Sequence, residues 1–271
     1  MHLLYCDESN LEKRPGEFLL YGGLRIDPKH AHDLSLALDE LRLNAKVPRD
    51  YRFKFAPGPK GMPHDDFINL KAEMFAIAAK FEVKLIAYLI LHDVAKNPDE
   101  ARRNGINAVC YNFDCFLRQV SSSGLVLIDR FNDQGNLIDG HLRDKFSIGL
   151  KNMPYSPELR LTQILGFHTS AIGQSHFPSL VDVVLGSFRF AINAYTRNQE
   201  SLLTTAGVLL KLIEPLLWRG SSGGAVPELS LVFSPKVIKA EKYRQQYEGL
   251  KGFLADNGID TEQKITSERR Y

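Results

Sequence analysis

The chain opens Met1-His2-Leu3-Leu4-Tyr5-Cys6-Asp7-Glu8-Ser9, a short apolar run ending on two adjacent acids. Apolar runs of this length with polar ends read as strands buried on both faces of a sheet. Side chains alternate along a strand, so Asp7 and Glu8 point to opposite faces. At least one carboxylate then stands at the rim of a core, where leaving water is costly unless a metal, a cation or hydrogen-bond donors compensate. Either it caps a turn or it does chemistry.

Two later acids bear on that choice. Leu125-Val126-Leu127-Ile128-Asp129 repeats the opening theme, an apolar strand ending in an acid, with polar Arg130, Asn132 and Asp133 beyond it. Pro178 to Tyr195 reads as a helix apolar around nearly its whole circumference, which predicts a buried helix. One narrow stripe differs: Ser179, Asp182, Gly186, Arg189 and Asn193 recur at steps of three and four, hence on one face. In that seam Asp182 faces either a charged ligand or an ion-pair partner such as Arg189 or Lys54.

Between these landmarks strands alternate with helices. Phe18 to Ile26 reads as a strand with Gly22-Gly23 marking a bulge or close backbone approach. Asp27-Pro28 starts a helix carrying Leu34, Ala37, Leu38 and Leu41 on one face. Tyr51 to Phe55 alternates as a short strand, and Pro57 to Gly61 breaks the chain as a mobile loop or lid. A helix from Asp65 or Asp66 to Lys80, a strand from Phe81 to Leu91 and a helix opening at Asn97-Pro98 follow. Leu137, Leu142, Phe146 and Leu150 mark another helix, and Glu158 to Phe167 another strand. Gly220 to Gly224 reads as a linker, Leu229 to Phe233 as a strand, and Pro235 to about Leu254 as a charged helix. Its Lys236, Lys239, Lys242, Arg244 and Lys251, interleaved with Tyr243 and Tyr247, could track a nucleic-acid backbone or form a solvated face. The alternation predicts an α/β fold, a mixed central sheet flanked by helices. In open sheets of this kind ligands collect beyond the carboxyl ends of strands, where Asp7 and Asp129 lie.

The 271 residues allow one large domain or two small ones. A hydrophobic share of 44% and a charged share of 24% are ordinary for a globular chain. The net charge of +2 excludes a global basic field, so any nucleic-acid groove is local. Cys6, Cys110 and Cys115 show no metal-ligand spacing and read as reduced thiols of a cytoplasmic protein. No apolar run is expected to reach the length of a membrane span, so no membrane partner is expected.

Tyr5-Cys6-Asp7-Glu8-Ser9 resembles the Y-x-D-E-S opening of the domain-of-unknown-function 3800 family. That family follows with an apolar strand ending in Asp, matched by Leu125 to Asp129, and a helix resembling Q-L-A-D-L-I-A-G, matched by Ser179 to Gly186. The resemblance spans roughly residues 1–200. It implies a ribonuclease-H-like core over 1–200, with residues 201–271 as a helical and strand extension packed on the same domain. It also implies acids that bind divalent metal for phosphodiester hydrolysis. Two departures stand out: Ser179 replaces the family's glutamine, and Arg52 stands two residues before Lys54 where the family often has an acid. Glu8, Asp133 or Asp50 could supply the fourth carboxylate.

The expected site therefore has Asp7, Asp129 and Asp182 ligating Mg2+ or Mn2+, with Glu8 assisting, since these ions prefer hard oxygen ligands. Lys54 would neutralise a phosphate oxygen or orient a carboxylate. His168 or His176 could move a proton, whereas His30 and His32 do not share a helix face. The expected activity is a metal-dependent nuclease acting on RNA or DNA. The rival is a catalytically inactive ribonuclease-H-like binding module.

Overall fold

A computed structural model of the protein describes residues 1–130, 137–147, 150–153, 156–220 and 223–268. Its strands are β1 (His2–Ser9), β2 (Phe18–Ile26), β3 (Lys84–Leu91), β4 (Gly124–Asp129), β5 (Leu150–Met153), β6 (Ser156–Leu159), β7 (Ile164–Ser170) and β8 (Leu231–Ser234). Its helices are α1 (Ala31–Asn44), α2 (His64–Lys80), α3 (Pro98–Gln119), α4 (Leu137–Ser147), α5 (His176–Thr196), α6 (Glu200–Ile213) and α7 (Glu241–Asp256). Six strands form one sheet in the order β7-β4-β1-β2-β3-β8, and β5 and β6 form a separate hairpin. The neighbours β1–β2 and β2–β3 are antiparallel, whereas β1–β4, β4–β7 and β3–β8 are parallel. The sheet is therefore mixed, as the sequence predicts.

One core lies between the sheet and α1, α2, α5, α6 and α7, and a second lies between the opposite face and α3. Every residue of β2 is buried, as expected of an apolar run sandwiched between two layers. Gly22 permits the close approach its sequence suggested: a Cβ there would lie 2.8 Å from Leu185 Cδ2 on α5. Asn97 caps α3 by accepting the Glu100 N–H at 2.8 Å.

Several predicted elements differ. Asp27 is not a helix cap; its side chain accepts the Lys29 N–H at 3.0 Å, and α1 begins only at Ala31. Tyr51 to Phe55 is not a strand, because its backbone bonds to side chains: Arg42 Nη2 donates to the Tyr51 carbonyl at 2.9 Å, and the Phe55 N–H donates to Asp182. The strand read over Glu158 to Phe167 is two strands, separated by a turn that closes with the Ile164 N–H donating to the Leu161 carbonyl. Leu150 belongs to β5 rather than to the preceding helix, and the charged helix begins at Glu241 rather than Pro235.

The expectation that no apolar run reaches membrane-span length is also corrected. At 21 residues α5 is long and apolar enough, but 83% of its most apolar window is buried inside the protein. Its greasy surface is covered by the sheet and neighbouring helices.

Candidate functional site

The parallel register of β1 and β4 sets Cys6 opposite Ile128. One step further along both strands puts Asp7 beside Asp129, on neighbouring strands about 4.8 Å apart. Leu4 and Cys6 pack into the α3-side core, whereas Leu3 and Tyr5 pack on the α5 side. By alternation Asp7 faces α5 and Glu8 faces α3, as the sequence predicts. Asp182, in the polar seam of α5, meets the Asp7 side. Its Oδ2 accepts the Phe55 backbone N–H at 2.6 Å, which pins the 51–56 segment against the helix. Gly186 makes room for that crossing, since a Cβ there would lie 2.5 Å from Phe55 Cβ. Lys54, next in the chain, joins Asp7, Glu8, Asp182 and Arg189 around a cavity of about 380 Å³.

Negative charge accumulates here. Burial, then Asp129 and Glu8, and to a lesser extent Asp182, push the Asp7 carboxyl from 3.8 up to about 8, against the Glu8 N–H that donates to its Oδ1 at 2.8 Å. Burial also raises Glu8, which Arg102 Nη1 at 3.4 Å opposes. Asp129 is raised by burial, lowered by the Arg130 N–H, raised by Asp182 and lowered by Lys54. Among the described residues Asp7, Asp129 and Asp182 make no ion pair, so neither Arg189 nor Lys54 neutralises Asp182 directly.

The donors suit a hard divalent ion in kind: they are carboxylate oxygens, and Glu8 Oε2 is buried with no hydrogen-bond partner. Their placement is looser. Among the described residues no three His, Cys, Asp or Glu side chains are grouped to hold a metal ion. The acids interact electrostatically across the cleft without being drawn together into a ligand set.

The remaining candidates lie elsewhere. His168 is exposed on β7, and His176, its pKa lowered by burial, pairs with Asp39 at 3.5 Å. His176, Asp50 and Arg52 line a separate cavity, so Asp50 does not replace the missing acid of the 380 Å³ cleft. Asp133 lies outside the described residues. His30 pairs with Glu82 and His32 with Asp33. On α7 Tyr247 is fully buried, and Lys251 bonds the Gln263 carbonyl; before the helix, Lys236 pairs with Glu228. Lys242 is exposed beside the half-buried Tyr243 ring, so the segment keeps part of its basic and aromatic surface. Sequence reasoning missed Arg102, which is 94 positions from its partner Glu8 and carries no local signal.

Fold and cleft together define an α/β protein with a mixed sheet and an acid-lined cavity at the carboxyl end of β1, beside α5. No known family model matches the chain, and no curated protein matches it.

Proposed function

We propose that this chain is a divalent-metal-dependent nuclease or related phosphodiesterase of ribonuclease-H-like type, acting on RNA or DNA. The observation that carries this reading is that Asp7, Glu8 and Asp182 line one cleft, with Asp129 close enough to raise the Asp7 carboxyl, while among the described residues Arg102, held against Glu8, is the cation paired to the set. Charges so arranged are costly without a cation to offset them. The mixed sheet with helices on both faces supports the ribonuclease-H-like core, and free Cys6, Cys110 and Cys115 support a reducing, cytoplasmic setting.

Asp7, Asp129 and Asp182 would hold Mg2+ or Mn2+, with Glu8 assisting. Such an ion, when bound, neutralises charge on a phosphodiester and acidifies the attacking water. The chain's own residues do the rest. Asp182 anchors the 51–56 segment through Phe55, and that segment carries Lys54 to the cleft, where its ammonium can meet a non-bridging phosphate oxygen. Asp7, whose carboxyl is pushed up to about 8, would have to give up its proton to hold a cation, so binding would strengthen as pH rises towards 8 and would release protons.

The inactive binding module remains a second reading, favoured by the absence of a grouped ligand set among the described residues and by Arg52 in place of an acid. Calorimetry with Mg2+ and Mn2+ at pH 8, with and without a short oligonucleotide, separates the two. Binding lost in both Asp7→Ala and Asp129→Ala, followed by cleavage in a screen of RNA, DNA and hybrids, is the expected result. No binding under either condition, with both variants folded and unchanged, leaves the acids structural and selects the binding module.

A further inference from the structure

The polar stripe of α5 does more than present Asp182. Its members fall in order into three successive cavities. Ser179 lines one of about 680 Å³, Asp182, Gly186 and Arg189 line the acid cleft of about 380 Å³, and Arg189 and Asn193 line a third of about 580 Å³. The cleft and the third cavity share Asn10, Leu11 and Arg189 as walls. The first cavity begins one helical turn from Asp182, and the 51–56 segment passes between the two, with Arg52 in one and Lys54 in the other. From Ser179 to Asn193 the stripe rises about 21 Å at ~1.5 Å per residue.

The two flanking cavities have the same chemistry. On the Ser179 side Arg49 and Arg52 are exposed, without an ion pair among the described residues, beside half-buried Tyr51. Across the cleft Arg189, also without an ion pair among the described residues, stands beside half-buried Phe190. The acids nearby are partly matched: Glu12 by Arg14 and Glu17 by Arg197, whereas Asp39, which faces a His176 that burial keeps uncharged, and exposed Asp50 stand against Arg42, Arg49 and Arg52 in the first cavity. Guanidinium beside an aromatic face is the pairing that holds a phosphate and stacks an unpaired base. A duplex keeps its base faces stacked on one another, so this pairing suits a single strand.

We infer that the polar stripe of α5 is the floor of a track for single-stranded nucleic acid, gripped on both sides of the acid cleft. This rests on the nuclease reading and extends it: the scissile bond lies inside the bound strand, so cutting is internal. At the 3.4 Å per phosphate of a stacked strand the track holds up to about six nucleotides, fewer if the bases splay.

The test is fluorescence anisotropy with labelled di-, hexa- and dodecanucleotides in buffer containing EDTA, which removes turnover and metal from the measurement. Affinity should rise steeply from the dinucleotide to the hexanucleotide and then flatten. Arg52→Gln and Arg189→Gln should each weaken hexanucleotide binding and lower the slope of log affinity against log salt by about 0.7. Lys242→Gln, on the exposed face of α7, should change neither. The inference is overturned by equal binding of dinucleotide and hexanucleotide, by loss of affinity at one flank only, by a response to Lys242→Gln with both arginine variants silent, or by an acidic peptide binding as well as the strand. Failure of the nuclease reading looks different. There the strand binds with the expected length and salt dependence, yet no Mg2+ or Mn2+ condition cleaves it. Conversely, metal-dependent release of terminal mononucleotides alone keeps the nuclease and removes the two-sided track.

Discussion

Asp7 and Asp129 stand side by side, one register step beyond the paired Cys6 and Ile128 on parallel β1 and β4. After burial, this neighbour is the largest reason the Asp7 carboxyl holds its proton up to about 8. An apolar strand ending in an acid is unremarkable alone. Two of them in parallel register put like charges next to each other at the edge of the core.

Stability of the metal-free protein should therefore fall as pH rises from about 4 to about 8. Unfolded, Asp7 loses its proton near 3.8, whereas the folded protein keeps it to about 8. Between those values the folded state binds the extra proton, and raising pH favours unfolding by up to ~1.4 kcal/mol per unit. Raised Glu8 and Asp129 act in the same direction. Asp7→Asn keeps an acceptor for the Glu8 N–H and removes the titration, so it should be more stable than the native protein at pH 8 and flatten the profile. Urea unfolding of both proteins at pH 5 and pH 8 measures this; parallel profiles would refute it.

The Asp182 carboxylate also organises the backbone. Asp182→Ala should cost about 1–2 kcal/mol by leaving the Phe55 N–H without its acceptor. Hydrogen exchange at the Phe55 amide should accelerate. Asp182→Asn retains an oxygen at that position and should preserve the protection while weakening any cation binding. Unchanged exchange in Asp182→Ala would show that the 51–56 segment is held by other contacts, such as Phe55 against Gly186.

Where burial is two-sided the sequence was easy to read. The apolar runs of β2 and β3 and the all-round apolar α5 show it, whereas β1 and β4, read as strands from similar runs, alternate buried and half-buried side chains. Tyr51 to Phe55 misled because alternation reports which side chains are buried, as Phe53 is, and is silent on whether a neighbouring strand takes up the backbone. The Arg102–Glu8 pair and the loose spacing of the acids depend on how α3 and α5 dock across the sheet, which no local pattern encodes. By contrast α6 does carry a local signal, Leu203, Ala206, Leu210 and Ile213 at steps of three and four, and these apolar residues belong to the face that packs on α5 and α2.

Gln263 offers a test of how the C-terminal segment is held. Its side-chain amide accepts the Phe233 N–H at 2.7 Å and donates to the Phe233 carbonyl at 2.6 Å, replacing a strand partner along β8. Gln263 is 1% exposed, so Gln263→Ala leaves two buried backbone groups unpaired and should cost about 2–4 kcal/mol. Gln263→Glu keeps both bonds only while its carboxyl is protonated, so its stability should approach that of the native protein at low pH and fall below it as pH rises. Chemical denaturation ranks the variants; equal stability of all three would mean that water replaces the amide.

Arg102→Gln should be strongly pH-dependent. Arg102 and Glu8 have side chains only 8% and 12% exposed, and the arginine is what opposes the upward push of burial on Glu8. Without it the Glu8 carboxyl rises further above its ordinary 4.5, so the folded variant keeps its proton to a higher pH than the native protein does. Near pH 4 Glu8 is protonated in both proteins, so the part of the loss that comes from the Glu8 charge is absent and the contacts of Arg102 that remain, that with exposed Asp99 among them, set a pH-independent baseline. As pH rises the native protein gains the compensated carboxylate, while the variant must either hold a proton or bury a bare charge. The gap should widen to about 3–5 kcal/mol by pH 8. Unfolding measured across that range decides it, since a loss independent of pH would assign Arg102 a packing role and remove Glu8 from the electrostatics of the cleft.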